Sequence, residues 1–566
     1  MPEPLGAGSA AGWDGCSLPA LRRESHFGDR VLHCFAERAT SWYGLLADTV
    51  ARFAEREAMV FGEQRWTWSQ LGQQVEGVAA GLAAQGLARG DRLVLYLSNR
   101  PEFVLSLFAA QRLGLVVVPV GTREQREGLG WILAHSGARA IVADADLLDR
   151  LPAANTLAQP VLVVACAPPQ DPATERAVGA DPALPPGVLA FAELARQGAD
   201  LPVVSVDEED TAAILYTSGT TGRPKGAMLT HLNVVHSVQH YASCWQLDAQ
   251  DRSMLCVPAS HVTGLIANIA LMAGIGGALI IAPAFKAASF LALAARERMT
   301  HTLMVPAMYK LMLLEAGLDA ADLSAWRVGG YGGAPMPVAT IDELGARLPG
   351  LTLVNAYGAT ETTSPTTLMP LGRTREHADT VGRPLPCAEV MAVDDEGREL
   401  PAGEQGELWI AGPMVVRAYW NDEAATAREF TAGWWHSGDV GSVDAQGFVR
   451  VFDRKKDMLN RGGYKIYSVE VENTLAQMPG VVEAAIVGKP CPVLGERVHA
   501  FVHTLRTDLD AAAIQAFCAD RLADYKIPES VTLTAAPLPR NLNGKLLKRE
   551  LRMALQQAES GALTGG

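Results

Sequence analysis

At 566 residues the chain is too long for one core of ordinary size and long enough for two or more domains. Hydrophobic residues at 49% and charged ones at 19% exclude global disorder, and 54 glycines in no fixed period exclude a fibre. A net charge of −14 and a pI near 5.4 repel a polyanionic backbone, with no long basic run to offset them, so no nucleic-acid partner is expected.

Residues 1–40 read as an N-terminal extension. "MPEPLGAGSAAGWDG" has no basic start and no apolar run, so it is not a secretory leader. Its "GAGSAA" matches a weak dinucleotide-loop pattern without a strand before it, and reads as a flexible tail. From residue 41 one grammar repeats. "PEFVLSLFAAQRLGLVVVPV" is a helix closed near Gly114 and followed by an apolar strand, and "LGWILAHSGARAIVAD" and "FLALAARERMTHTLMVP" follow suit. Helices alternating with continuous apolar strands predict an α/β fold with parallel sheets covered on both faces. Ligands on such sheets sit beyond the carboxyl ends of strands.

The stretch "YTSGTTGRPKGAMLTH" falls at such an end, directly behind apolar "AAIL". Thr217, Ser218, Gly219, Thr220, Thr221 and Gly222 are all Gly, Ser or Thr, and Lys225 lies just beyond Pro224. Such a loop can aim backbone N–H groups and hydroxyls at one anion while an ammonium supplies charge, which is phosphate chemistry. The order of glycine and lysine is not that of a Walker loop, and Pro224 keeps a helix from starting there. His236 and His240, four apart on a predicted helix, have ligand-like spacing, but no Cys or acid lies near them in sequence, so zinc is not expected.

No charged residue occurs between Arg252 and Lys286, and "LIANIALMAGIGGALIIAPAF" has the length of a membrane span. Asn268 within the run and the break at Gly276 and Gly277 favour helix, turn and buried strand, so no integral membrane segment is expected. "AEVMAVDDEGRELPAGEQGELWIAG" reads as a β-rich module. Beyond "DRKKD" the strands and helices of a separate small α+β domain follow, which divides the chain into an extension, a large domain at 41–454 and a small domain at 455–566. The eight cysteines have no close pairs and fit reduced thiols in a cytoplasmic protein.

Taken in order, "YTSGTTGRPKGAMLTH", "YGGAPMP", "NAYGATETT", "GWWHSGDVG", "FDRKKDMLNRGGYKIYSVEVE" and "PRNLNGKLLKREL" resemble the signatures of the adenylate-forming superfamily of acyl-CoA synthetases, peptide-synthetase adenylation domains and luciferases. The resemblance runs from about Trp42 to about Leu551. It implies activation of a carboxylic acid with ATP and Mg²⁺ to an acyl-adenylate, then transfer to coenzyme A. It also assigns roles. The Thr217–Gly222 loop and Lys225 take the β- and γ-phosphates; Gly333, Ala334, Pro335 and Tyr357 take adenine; Asp439 and Arg454 take ribose. Thr360 donates to the α-phosphate, Glu361 holds Mg²⁺, and Lys545 sits between the substrate carboxylate and the α-phosphate. His261 gates the three substrate channels. Tyr241, Val262, Leu265, Gly332 and Gly358 line the acyl pocket, Arg461, Gly462 and Gly463 the CoA tunnel, and Lys456 is the hinge of a mobile C-terminal lid.

The absence of any acid between Arg252 and Arg296 speaks against an ammonium-bearing amino-acid substrate and for a fatty, alicyclic or aromatic acid. A stand-alone enzyme loading a carrier protein, a luciferase-like oxygenase and an inactive nucleotide-binding scaffold stay open as alternatives. Ser468 departs from the superfamily's usual proline. A homodimer is carried as an expectation that no motif supports.

Overall fold

The computed structural model describes residues 13, 15–153, 156, 159–168, 184–195, 201–217, 223–540 and 546–563. Two large sheets form the body of the chain. The first has seven strands in the order Lys225–Thr230, Thr211–Thr217, Val116–Pro119, Arg92–Tyr96, Ala138–Asp144, Leu162–Cys166 and Val188–Ala190. All neighbours are parallel except the first pair. The second has nine strands, with a parallel centre of Thr352–Tyr357, Val328–Gly332, His301–Met304, Arg252–Leu255, Ala278–Ile281 and Glu57–Phe61, and antiparallel pairs at both edges. Strands such as "VVVP" and "ALII" are buried throughout, as a parallel sheet packed on both faces requires.

The helices are those the sequence grammar predicts. Pro101–Arg112 opens on a proline at N1, and the chain turns at Gly114 with φ +66°. Between the sheets, His231–Cys244 is closed at its start by a reciprocal box in which Thr230 and Asn233 cap each other, worth about 1 kcal/mol. The uncharged run folds as expected into helix, turn at Gly276 (φ +77°) and strand Ala278–Ile281, but its first two turns, Thr263–Ala270, are π-helical. Among the described residues no helix is long and apolar enough to cross a membrane.

A five-stranded antiparallel unit follows, built on Glu389–Val393, Gly406–Ala411, Trp434–Val443 and Val449–Arg454 with a short strand at Phe430–Thr431. After a turn at Lys455–Asp457 come the strands Leu459–Arg461, Tyr464–Ile466, Val481–Cys491, Gly495–Thr504 and Ser530–Thr534, with helices Ser468–Leu475, Ala511–Ala519 and Lys548–Leu563 and a core of their own around Val471, Ile486, Val498 and Ile514. Several contacts span the turn, and in one of them the Asp453 carboxylate accepts from both the N–H (2.5 Å) and the hydroxyl (2.6 Å) of Ser468. A proline at 468 would have no N–H to give, so the departure from the usual residue has a structural use.

The extension is more structured than the sequence reading expects. Leu21–His26 and Arg30–Phe35 form a hairpin, Trp13 is buried with its indole donating to Pro384 O at 2.9 Å, and Arg30 donates to the carbonyls of Val415, Val416 and Arg417 at 3.1–3.4 Å. "GAGSAA" lies outside the described residues. All eight cysteines are unpaired, and all but Cys16 are buried.

Candidate active site

The strand Thr211–Thr217 turns back on itself as Lys225–Thr230, with Thr217 and Lys225 facing each other across the register. The phosphate-loop residues Ser218, Gly219, Thr220, Thr221 and Gly222 fall between those two ends and lie outside the described residues, as does Lys545. What is described is the frame. Lys225 is nearly buried, its ammonium 2.6 and 2.5 Å from the two oxygens of Glu429 and 4.3 Å from the centre of the Tyr419 ring. The Tyr419 hydroxyl meets Glu361 Oε1 at 2.9 Å and Glu429 Oε2 at 2.7 Å.

Glu361 stands on a short 3₁₀ turn, Thr360–Thr362, just beyond the end of Thr352–Tyr357. Its carbonyl accepts from Val416 N at 2.9 Å, which pins the turn to the loop that Arg30 holds from the other side. Its carboxylate is buried, and its two described contacts, Tyr419 and Thr217 Oγ1 at 3.5 Å, both use Oε1. A hard carboxylate oxygen beside a hydroxyl at the mouth of a phosphate loop is a donor set that fits Mg²⁺ shared with a polyphosphate. Tyr419 and Glu429 were not found by sequence reasoning: Glu429 closes a charged helix, Glu423–Glu429, that reads as solvated surface, and no local spacing ties it to Lys225.

A second constellation lies alongside. Asp439 and Arg454 are direct cross-strand partners, and the Arg454 guanidinium forms an ion pair with Asp439, Nε 2.6 Å from Oδ1. Tyr357 donates its hydroxyl to Asp439 Oδ2 at 2.6 Å. Burial, reinforced by the Asp439 carboxylate, holds the Tyr357 phenol well above its ordinary pKa, so it stays a neutral donor. Asp439 in turn raises the Arg454 guanidinium. A carboxylate offers about four lone-pair sites. Two are used here.

Gly333 (φ +77°), Ala334 and Pro335 form an exposed bend at the end of Val328–Gly332. Gly332 and Gly358, expected to be small for a ligand's sake, have a nearer reason: a Cβ on Gly332 would collide with the Ala356 carbonyl, and one on Gly358 with that of Ser364. Tyr241 is buried and shares a 2.8 Å hydrogen bond with Ser364, while Val262, which precedes the π-helix, and Leu265 within it are both buried. His261 is half-buried, and its Nδ1 accepts from Thr263 N at 3.3 Å, which places the proton of the neutral ring on Nε2. Its loop is fixed by buried Asn99, which donates to Val257 O (2.9 Å) and Ala282 O (3.1 Å) and accepts from Ala259 N (2.8 Å).

The residues expected to line a CoA tunnel lie past the turn. Gly462 (φ +60°) and Gly463 (φ +91°) make the two-residue loop of a hairpin, and Gly462 N donates to Leu494 O. Arg461 is committed to Glu529 at 2.7 Å. Lys456 sits exposed in the turn itself. His236 and His240 are fully buried against Phe35, and burial pushes their pKa values down, His236 to about 3.

Comparison with known proteins agrees with this geometry. Residues 46–420 match the AMP-binding enzyme family and residues 470–545 the AMP-binding enzyme C-terminal domain. A feruloyl-CoA synthase of Amycolatopsis is 34% identical over 503 residues, covering 88% of this chain and 95% of that protein. A long-chain-fatty-acid–CoA ligase of Mycobacterium tuberculosis is 34% identical over 489 residues, covering 86% and 93%. Among solved structures, the O-succinylbenzoate–CoA synthetase of Bacillus subtilis, in complex with ATP and magnesium, superposes with a TM-score of 0.77 at 27% identity, covering 91% of this chain and 100% of that one. With residues 46–420 and 470–545 matched in order to its two parts, the chain belongs to the AMP-binding enzyme family.

Proposed function

We propose that this chain is an acid–thiol ligase. It activates a hydrophobic carboxylic acid (fatty, alicyclic or aromatic) with ATP, releases pyrophosphate, and passes the acyl group from the adenylate to coenzyme A with AMP as the leaving group. The observation that carries the reading is the paired arrangement of Asp439 with Tyr357 and Arg454 beside Glu361 with Tyr419, Glu429 and Lys225. One half suits a ribose and a base, and the other a metal-bound polyphosphate.

The acid is ionised at neutral pH, so adenylation needs no general base; it needs alignment and neutralised charge. Ser218 to Gly222 and Lys225 hold the β- and γ-phosphates, and Thr360 donates to the α-phosphate. Gly333, Ala334, Pro335 and Tyr357 enclose adenine, and the two remaining lone-pair sites of Asp439 accept the ribose hydroxyls. Magnesium bound at Glu361 supplies charge neutralisation at the phosphate oxygens. Lys545 brings an ammonium to the developing negative charge at phosphorus. The domain beyond Lys456 then turns, Lys545 withdraws, and the Arg461–Gly463 hairpin faces the adenylate so that the CoA thiolate reaches the carbonyl past His261. The large and small domains divide between Arg454 and Lys455. Eight unpaired cysteines support a reducing, cytoplasmic setting.

The test is pyrophosphate exchange and acyl-CoA formation with ATP and Mg²⁺ over acids of graded chain length and ring type. Exchange and thioester together establish the ligase. Exchange without thioester points to a carrier-protein acceptor, light or CO₂ release with a luciferin to an oxygenase, and no exchange with any acid to a scaffold.

A further inference from the structure

We propose that the acyl pocket ends in a polar floor, made by Trp245, Asn268 and His301, that binds a hydroxyl or keto oxygen carried by the acid at the end remote from its carboxylate. This deepens the ligase reading and rests on it.

Tyr241 lies in the last turn of the helix His231–Cys244 and Trp245 is its C-cap, their rings 5.0 Å apart. Trp245 packs so closely on Gly330 that a Cβ there would lie 2.9 Å from the indole. Behind it lies His301, with ring centres 5.7 Å apart. His301 Nδ1 is 2.9 Å from Ser253 Oγ, and Asn268 Nδ2 donates to the same oxygen at 2.9 Å. Asn268 reaches that point because Thr263–Ala270 is π-helical, a widened turn found most often at functional sites.

Trp245, Asn268 and His301 are all completely buried, and Trp245 Nε1, Asn268 Oδ1 and His301 Nε2 have no hydrogen-bond partner. Exchanging the amide O and N of Asn268 leaves one unpaired atom either way. More than nine in ten buried polar groups are satisfied in native proteins, so two orphans that share Ser253, with a third on the indole packed against His301, call for a common partner.

The chemistry of the three atoms defines that partner. The indole N–H only donates and Asn268 Oδ1 only accepts. His301 is neutral, its pKa pushed down to about 4 by burial, and the Ser253 hydroxyl can either give or accept, so Nε2 can do either as well. A keto oxygen accepts from Trp245 or His301, and a hydroxyl can also donate to Asn268. A hydrocarbon end would leave all three unpaired. Gly330 lies two residues, and Val328, the register partner of His301, four residues below Gly332 on one strand, so the floor is roughly 7 to 13 Å below Gly332, the upper wall of the proposed pocket.

The test compares matched acids with ATP, Mg²⁺ and CoA: 3-(4-hydroxyphenyl)propanoate against 3-phenylpropanoate, and 4-oxocyclohexylacetate against cyclohexylacetate. The oxygenated member of at least one pair should show kcat/KM higher by about tenfold or more, since a site built to hydrogen-bond an oxygen rejects the analogue lacking it. Which pair discriminates more strongly separates a hydroxyl from a keto ligand. Asn268→Leu should bring the ratio to within about threefold. That change also removes the bond to Ser253, so Trp245→Phe, which deletes the indole N–H, is the second variant. Equal or better turnover of the plain acids by the wild type, or a ratio that survives in both variants, overturns the floor. Turnover of no acid in either class overturns the ligase reading beneath it.

Discussion

Asp439→Asn keeps the shape of the side chain and removes its charge, and the structure sets the size of the effect. Tyr357 donates to Oδ2 and the Arg454 guanidinium is ion-paired with Oδ1, both at 2.6 Å, so a ribose diol would meet the remaining side of each oxygen. A hydrogen bond to a charged group contributes about 1.5–3 kcal/mol net. Losing that strength at the ribose lowers kcat/KM for ATP by about 10- to 150-fold. The assay is pyrophosphate exchange with ATP varied at saturating acid, then acid varied at saturating ATP. KM for the acid should stay within about threefold, because Asp439 faces the nucleotide. Tyr357→Phe is the control: it deletes one neutral donor and leaves both charges, so its loss should be smaller, about 1 kcal/mol or roughly fivefold. A fall of less than threefold for ATP in Asp439→Asn, or equal losses for ATP and acid, would refute the ribose assignment and leave Asp439 a purely structural clamp on Tyr357 and Arg454.

Four further outcomes are expected. Lys545→Ala abolishes adenylate formation, while thioester formation from supplied acyl-adenylate persists; equal loss of both steps contradicts that division. Lys456→Pro impairs conversion of adenylate to thioester and leaves pyrophosphate exchange nearly intact, whereas slowing of exchange alone argues against a hinge there. Glu429→Gln leaves the mostly buried Lys225 without its carboxylate, so the ligand-free protein loses about 1–3 kcal/mol in urea midpoint and gains more than the wild type from MgATP; an unchanged midpoint removes the pair from the account. Burial holds His231 at about 4, His236 at about 3, and His240 also below 6.5, so as pH falls through 6.5 the unfolded chain binds protons that the folded one refuses, and stability falls with it. His240→Phe should therefore gain about 1.4 kcal/mol on the wild type between pH 7.5 and 5.5 by chemical denaturation, and a parallel shift of both proteins would count against a neutral His240.

What the sequence made legible is what short-range pattern encodes. Helix, Gly114 and apolar strand follow from periodicity and a left-handed cap, and the phosphate loop stands out because six small residues in a row have little other use. The uncharged run could be kept out of a membrane because Asn268 and Gly276 interrupt it, but its π-helical turns could not be foreseen, since a hydrophobic pattern does not distinguish a four-residue from a five-residue hydrogen-bond step. The hairpin Leu21–Phe35 was illegible for a different reason. Charged strands such as "LRRESH" carry no clean alternation, and what seats the segment is distant: Arg30 on the carbonyls of Val415 to Arg417, and Trp13 on Pro384. Gly332 and Gly358 were read as room for a ligand, while the close approach of Ala356 and Ser364 demands glycine before any ligand is considered.

Tyr419 and Glu429 carry the same lesson into the chemistry. An ammonium held in a largely buried loop with no counter-charge would cost several kcal/mol or lose its proton. Glu429 meets that charge from 204 residues away, and Tyr419 links the pair to Glu361 by one hydroxyl that touches both acids. Arg428 also donates to Glu429 Oε1 at 3.0 Å, so Glu429 is matched by two cations, while among the described residues no ion pair reaches Glu361. A bare polyphosphate would meet the Glu361 carboxylate with no cation between them, whereas a polyphosphate carrying a divalent cation brings that charge and gives Lys225 an alternative to Glu429. The preference for metal-bound nucleotide is therefore a property of the frame as much as of the loop it supports, and the frame is assembled from residues that no single motif contains.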